Sequence, residues 1–338
     1  MMSAEERSMP AVTVLIPAYN AERCVGRAVE DALGQTLRDL EVVVIDDGSS
    51  DTTATAARSA ARGDPRLRII ALGKNQGVAA ARNAGLAHAR GTWIALLDAD
   101  DRIDRDRLER LTREAVASEA DLLADNLIVQ NVDAGEPPSP AFPAERMQAR
   151  GPIDAASFVD SDRPAWGTRA AGFIKPLMRR SFLEEHGLAY TLGIHAGSDF
   201  HLYVRCLLHG GRLFYVPDAS YRYAISPRSL CRADVERIQQ AFKDSSAMLR
   251  AEAATLDRSD VAARLLARER HIDAWTAYEK FMFVVREGRA GASLRSFLRL
   301  PSRWYALGRM THGLQRRVGE RLRRRRRIEP QRVVKGLG

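Results

Sequence analysis

Glu41-Val42-Val43-Val44-Ile45-Asp46-Asp47-Gly48-Ser49-Ser50-Asp51 decides the fold of this chain. Val42 to Ile45 are apolar, β-branched and without alternation, the pattern of a strand buried on both faces. The acidic, Gly- and Ser-rich residues behind it form a turn. Ser49, Ser50 and Asp51 are cap candidates for an alanine-rich helix over residues 51–61. The same unit recurs on both sides. Residues 12–16 read as a strand closed by Pro17, followed by a helix over 22–35. Residues 67–72 read as a third strand, 78–90 as a helix stopped by Gly91, and 93–97 as a fourth strand. This β-α-β-α-β-α-β order predicts an α/β fold, a mostly parallel sheet with helices on both faces. Ligands bind such sheets beyond the carboxyl ends of the strands. Further on, 121–130 reads as a strand, 131–151 as a loop, 197–208 as a helix, and 213–216 and 221–224 as two short strands. From residue 233 the chain reads as helical.

The 338 residues are 45% hydrophobic, enough for a sizeable core. No apolar run approaches the roughly 18–20 residues that span a bilayer, and the first ten residues lack the apolar core of a secretory signal. The expected location is therefore cytoplasmic. Cys24, Cys206 and Cys231 stand far apart and form no CxxC pair, so they read as free thiols. The net charge of +9 is uneven: residues 303–338 hold twelve Lys or Arg and two Asp or Glu, leaving forty basic and forty-one acidic residues in the other 302. A basic tail on a neutral body points to an anionic surface. The body lacks a basic excess or a nucleic-acid-binding motif, so nucleic acid is not an expected partner.

Motifs with chemical content stand where the strands end. They are Pro17-Ala18-Tyr19-Asn20, then Asp46-Asp47-Gly48-Ser49-Ser50-Asp51, then Asn75-Gln76-Gly77 leading to Ala81-Arg82-Asn83, then Asp98-Ala99-Asp100-Asp101. Carboxylates at the end of a buried strand are costly unless paired, hydrated or metal-bound. Asp98-Ala99-Asp100 reads as a site for ribose and a hard divalent cation, Mg²⁺ or Mn²⁺, which shares its coordination with diphosphate oxygens.

These four motifs, in this order, resemble glycosyltransferase family 2, which has the GT-A fold. The resemblance is strong over residues 11–125 and weaker over 165–230. It implies an inverting transfer of a sugar, UDP-glucose being the first candidate donor. It places Pro17 and Tyr19 at the nucleobase, Tyr19 stacking on it, and Asp47 at the uracil N–H with Asp46 beside it. Asp98 would approach the ribose or metal, and Asp100 would be the principal metal ligand. Arg82 would face the diphosphate or brace the acidic loop.

An inverting transfer needs a carboxylate to take the acceptor's proton. In this family that base is usually the Asp of a Glu-Asp pair opening a helix. Gly197-Ser198-Asp199-Phe200-His201 matches the context and makes Asp199 the candidate, with Ser198 in place of the usual Glu. Asp218 is the alternative. His195 and His201 flank the site and read as surface or packing residues. Residues 166–176, with Gly172-Phe173-Ile174-Lys175-Pro176, resemble the acceptor-side stretch of succinoglycan-type exopolysaccharide glucosyltransferases, which makes Trp166 and Lys175 acceptor-side candidates. Tyr221-Arg222-Tyr223, followed by Ser226 and Ser229, resembles the same group. Processive members carry a QxxRW motif; here Leu300 precedes Arg303-Trp304 where the Gln would stand. A single-addition enzyme is expected.

The expected organisation is a GT-A domain over 1–230 (nucleotide-binding half 11–125, acceptor and catalytic half 150–230), a helical extension over 231–315 and a basic tail over 316–338. Leu314, just before the tail, and Val318 and Leu322 within it stand at a four-residue spacing among arginines, as in a helix lying on an anionic bilayer. The expected acceptor is a lipid-linked saccharide, met at the cytosolic face of the inner membrane. Two other functions fit parts of the pattern: a sugar nucleotidyltransferase, and a nucleotide-sugar-binding protein without transfer activity.

Overall fold

The computed structural model describes residues 9–131, 137–148, 151–162, 170–225 and 235–286. The elements follow in chain order as β1 (Val12–Ala18), α1 (Val25–Leu33), β2 (Leu40–Asp46), α2 (Thr53–Ala61), β3 (Leu67–Ala71), α3 (Val78–His88) and β4 (Trp93–Leu96). Every residue of β1, β2 and β4 is buried, whereas β3, at the sheet edge, is only half-buried. This is why the central strands read as unbroken apolar runs. The ladders β1–β2, β2–β3 and β1–β4 are all parallel, and Ala18 stands beside Asp46. Tyr19, Asp47 and Asp98 therefore emerge along one edge of the sheet.

The second half continues with β5 (Arg102–Ile103), α4 (Arg107–Ala117), β6 (Leu122–Asn131), β7 (Ser139–Pro140), a 3-10 turn at Ala144–Gln148, α5 (Ala155–Ser161), a 3-10 turn at Ala171–Phe173, β8 (Leu177–Arg179), α6 (Arg180–Glu185), α7 (Ser198–Leu208) and β9 (Leu213–Ile225). The sheet order is β3-β2-β1-β4-β8-β6-β9-β5, with β7 paired to β6. Here the pairing turns mixed: β8 is antiparallel to both β4 and β6, and β6 is parallel to β9. The antiparallel step matters for chemistry. It sets Leu177 beside Ala95, so the residues entering β8 meet the residues leaving β4.

Two sequence expectations differ from the structure. The expected pair of strands at 213–216 and 221–224 is one strand, β9. Its register against β6 shifts between Tyr215 and Ala219, around Pro217, which has no N–H to give the ladder. The expected loop at 131–151 holds β7 and the 3-10 turn at Ala144–Gln148.

The helical region is α8 (Val235–Thr255) and α9 (Ser259–Arg286). Contacts divide the chain into Met1–Glu269 and Arg270–Gly338; the first unit contains the sheet, α8 and the start of α9. Arg205 and His209 of α7 both reach Glu252 of α8, each at 3.0 Å. No helix among the described residues is long and apolar enough to cross a membrane. Cys231, Ser226, Ser229, Trp166, Arg303-Trp304 and the basic tail lie outside the described residues.

Candidate active site

The loops after β1 and β2 are stitched together. Asn20, at φ 48°, accepts from the Ser50 N–H through its side-chain oxygen at 2.9 Å and donates its own N–H to Ser49 Oγ at 3.0 Å. Gly48 is required by sterics: at φ +70° it lets the loop approach Lys74, whose Cα would lie 2.5 Å from a Cβ added there. This contact brings in the third loop. Asp47 accepts from the N–H groups of Gln76 and Gly77 at 2.8 and 2.9 Å, and Asp46 accepts from the Ser49 N–H at 2.9 Å. Both carboxylates are buried. Pro17 is buried inside β1, while Tyr19, 51% exposed, presents its ring to solvent.

Deeper in the sheet edge the carboxylates are held by cations instead. Arg82 projects from α3 and is buried. One of its Nη atoms donates to Asp98 at 3.0 Å; the other donates to Asp199 at 2.7 Å and to Ser198 Oγ at 3.1 Å. Lys175 arrives from the segment entering β8. Its Nζ lies 2.9 Å from the second oxygen of Asp98 and 2.8 Å from the second oxygen of Asp199. Two carboxylates and two cations thus close a ring. Burial opposes the charge on Asp98, but Lys175 and Arg82 override it and hold its carboxyl well below the ordinary range. Burial likewise opposes the Lys175 ammonium, which Asp199 and Asp98 hold well above its usual value.

Asp100 and Asp101 differ from Asp98. No ion pair reaches Asp100 among the described residues, and its side chain opens to solvent. Desolvation at the site, then repulsion from Asp98, push its carboxyl up. Asp101 is buried; burial, then Asp98 and Asp100, raise it strongly, and it bonds to the Tyr221 hydroxyl at 2.7 Å and the Ala224 N–H at 2.8 Å. Asp98, Asp100 and Asp199 thus stand with two cations, Arg82 and Lys175, while Asp101 is pushed toward its neutral form. No cluster of three or more His, Cys, Asp or Glu side chains among the described residues forms a metal cage. A hard cation held by one or two carboxylates and by substrate phosphates needs no cage, so the donor set at Asp98 and Asp100 fits Mg²⁺ or Mn²⁺.

The other sequence candidates fall as follows. Asp218 is exposed and pairs with Arg110 of α4 at 2.8 Å, apart from the ring. His195 is exposed. His201 is buried under α8 with its Nδ1 3.0 Å from Ser245 Oγ, and burial pushes it down to about 4. Sequence reasoning missed several supports. Tyr190 covers Arg82, the guanidinium 5.0 Å from its ring centre, and its backbone is gripped by both ends of the Asn83 amide at 2.8 Å. The Tyr190 hydroxyl and Arg82 Nε are buried with no hydrogen-bond partner among the described residues. Beneath the ring, Arg107 and Asp125 form a fully buried pair at 2.8 Å, and Arg107 also donates to the Lys175 carbonyl at 2.7 Å.

Comparison with known proteins adds to this geometry. Residues 13–185 match the family model described as Glycosyl transferase family 2. The succinoglycan biosynthesis protein ExoO of Rhizobium meliloti (strain 1021) is 40% identical over 225 residues, 66% of this chain and 63% of that protein, so the chain spans just under two thirds of ExoO. ExoU of the same organism, also a succinoglycan biosynthesis protein, is 36% identical over 269 residues, 77% of this chain and 75% of ExoU. Among solved structures, S. aureus TarS 1-349 in complex with UDP aligns at TM-score 0.58 and 19% identity, over 76% of this chain and 71% of that one. The mannosyltransferase PcManGT from Pyrobaculum calidifontis, in complex with GDP-Man and Mn²⁺, aligns at TM-score 0.54 and 20% identity, over 90% and 85%. At such identities the likeness is one of fold.

Proposed function

The chain belongs to glycosyltransferase family 2, and from that premise we propose that it adds a single hexose, with inversion, from a UDP-sugar to a hydroxyl of a lipid-linked saccharide in exopolysaccharide assembly. The observation that carries the proposal is the ring in which Arg82 and Lys175 each contact both Asp98 and Asp199. It couples the donor side to a carboxylate suited to act as base. The succinoglycan names of ExoO and ExoU and the UDP bound in TarS support the choice of polymer and nucleotide. Family membership speaks against the nucleotidyltransferase reading, and the presence of Asp98, Asp100 and Asp199 speaks against a binding-only protein.

In the proposed reaction Tyr19 stacks on the base, and Asp46 and Asp47 shape its pocket. Asp47 keeps free lone pairs for the ring N–H, because each oxygen accepts only one backbone bond. Asp98 and Asp100 would hold the divalent cation, which when bound neutralises charge on the departing diphosphate. Asp199 accepts the proton of the acceptor hydroxyl as that oxygen attacks the anomeric carbon and the bond to the diphosphate breaks. Arg82 and Lys175 hold the carboxylate in position, one on each of its oxygens. The Mn²⁺ bound by PcManGT supports the metal assignment.

Transfer from UDP-hexoses to lipid-linked acceptors, with and without chelator, tests the proposal. Transfer should stop in chelator and in Asp100→Ala, and product NMR should report an inverted anomeric centre. Undiminished transfer in excess chelator would overturn the metal assignment, and a retained configuration would overturn the mechanism.

A further inference from the structure

An arginine outside the sheet reaches toward the site. Arg268 of α9 is buried, as is its partner Asp162 at the end of α5. Its Nε and one Nη lie 3.0 and 2.7 Å from the same oxygen of Asp162. The other Nη donates to Ser246 Oγ at 2.7 Å and to the Phe242 carbonyl at 3.1 Å, both on α8. The guanidinium carbon also lies over the Phe200 ring of α7, 4.0 Å from its centre. The second oxygen of Asp162 accepts the N–H of Gly172 at 2.6 Å. Gly172 itself presses on α7: a Cβ there would stand 2.6 Å from Cβ of Phe200.

The sequence positions give this cluster its meaning. Phe200 follows Asp199, and Gly172 precedes Lys175 by three residues. The Arg268–Asp162 pair therefore grips both segments that deliver the second-half members of the ring. We infer that Arg268 is a positioning residue, which through Asp162, Gly172 and Phe200 sets Lys175 and Asp199 at the distance where one ammonium serves two carboxylates. A buried ion pair is a poor source of stability, because desolvation consumes much of the attraction; its better-attested use is to fix one arrangement among several. Here the arrangement fixed is that of the ring. The carboxylates of the nucleotide loops are held by amides of their own half. The extension thus acts on the transfer step while leaving nucleotide binding alone. This inference rests on Asp199 being the base.

The test uses the full chain with Arg268→Gln, Arg268→Lys and Asp162→Asn, and with Asp199→Asn alongside. Hydrogen exchange is followed at residues 170–175 and 198–205, UDP affinity in Mn²⁺ by calorimetry, and transfer by kcat. Arg268→Gln and Asp162→Asn should speed exchange in those two segments with β1, β2 and β4 unchanged. Transfer kcat should fall about 10-fold or more, in line with the sensitivity of catalysis to small misplacements, while UDP affinity stays within about 3-fold. Arg268→Lys should recover part of the kcat. The inference is overturned if kcat is unchanged, or if exchange rises throughout the sheet and UDP binding falls with kcat. Asp199→Asn reports on the base separately: near wild-type transfer there would remove the proposed mechanism, and this inference with it, whatever the clamp variants do.

Discussion

The two halves of the sheet edge hold their carboxylates by different means. In the first half, Asp46 and Asp47 are satisfied by backbone N–H groups of neighbouring loops. In the second, Asp199, Asp125 and Asp162 are each held by Arg or Lys side chains, as is Asp98 where the two halves meet. Backbone amides are fixed donors set by the loop's own fold, so the first half makes a rigid seat. Side-chain ion pairs can be exchanged for other charges, so the second half suits a place where charge must move. That contrast matches the two proposed tasks: holding a nucleoside, and passing a proton while a diphosphate leaves.

The contrast is broken most easily at Lys175. Lys175→Met leaves Asp98 and Asp199 sharing Arg82 alone. Removing one partner of a buried pair costs about 3–5 kcal/mol, to be seen as a lowered urea midpoint at constant m-value, and transfer should fall with it. A wild-type midpoint would mean the ammonium contributes nothing to the ring. Tyr19→Ala probes the other half. Its ring is half exposed, so stability should change by less than about 0.5 kcal/mol, while UDP affinity should drop by about 1–3 kcal/mol for a lost stacking platform. Unchanged affinity by calorimetry would move the nucleobase elsewhere.

The smallest effect at neutral pH concerns His201. Its pKa in the folded chain is pushed from 6.5 down to about 4, with burial as the main cause. As pH falls, the unfolded chain takes up the proton first. The stability tied to a neutral His201 is therefore present above pH 6.5 and is lost as pH falls from there through about 4. Urea unfolding of His201→Gln should show a shallower acid loss over that window, by on the order of 1–3 kcal/mol. Parallel curves for the two proteins would show that His201 is solvated in the folded state.

The first half was legible because its order is local. Each strand runs straight into its loop, and apolar runs at 12–16, 41–45 and 93–97 fall within or across β1, β2 and β4. The resemblance also pointed to Asp98, Arg82 and Asp199, which the ring brings together. Lys175 was expected on the acceptor side, yet its Nζ sits between Asp98 and Asp199. That contact follows from β8 running antiparallel to β4, and no periodicity in the sequence encodes strand order. Ser198, read as a departure from Glu, is the hydroxyl that accepts from Arg82. Nothing in the sequence pointed to Tyr190, whose backbone the Asn83 amide grips across more than a hundred residues. Arg107 and Arg268 gave no signal either: arginines in charged helical stretches read as solvent-facing, and only distant partners, Asp125 and Asp162, bury them.

The central claim is that Asp199, joined to the donor side by Arg82 and Lys175, is the base. Asp199→Asn keeps the shape and the Arg82 contact but cannot take a proton. The account predicts UDP affinity in Mn²⁺ within a few-fold of wild type, with transfer lowered by about 10²–10⁴. Transfer close to wild-type, with loss instead in Asp218→Asn, would contradict it.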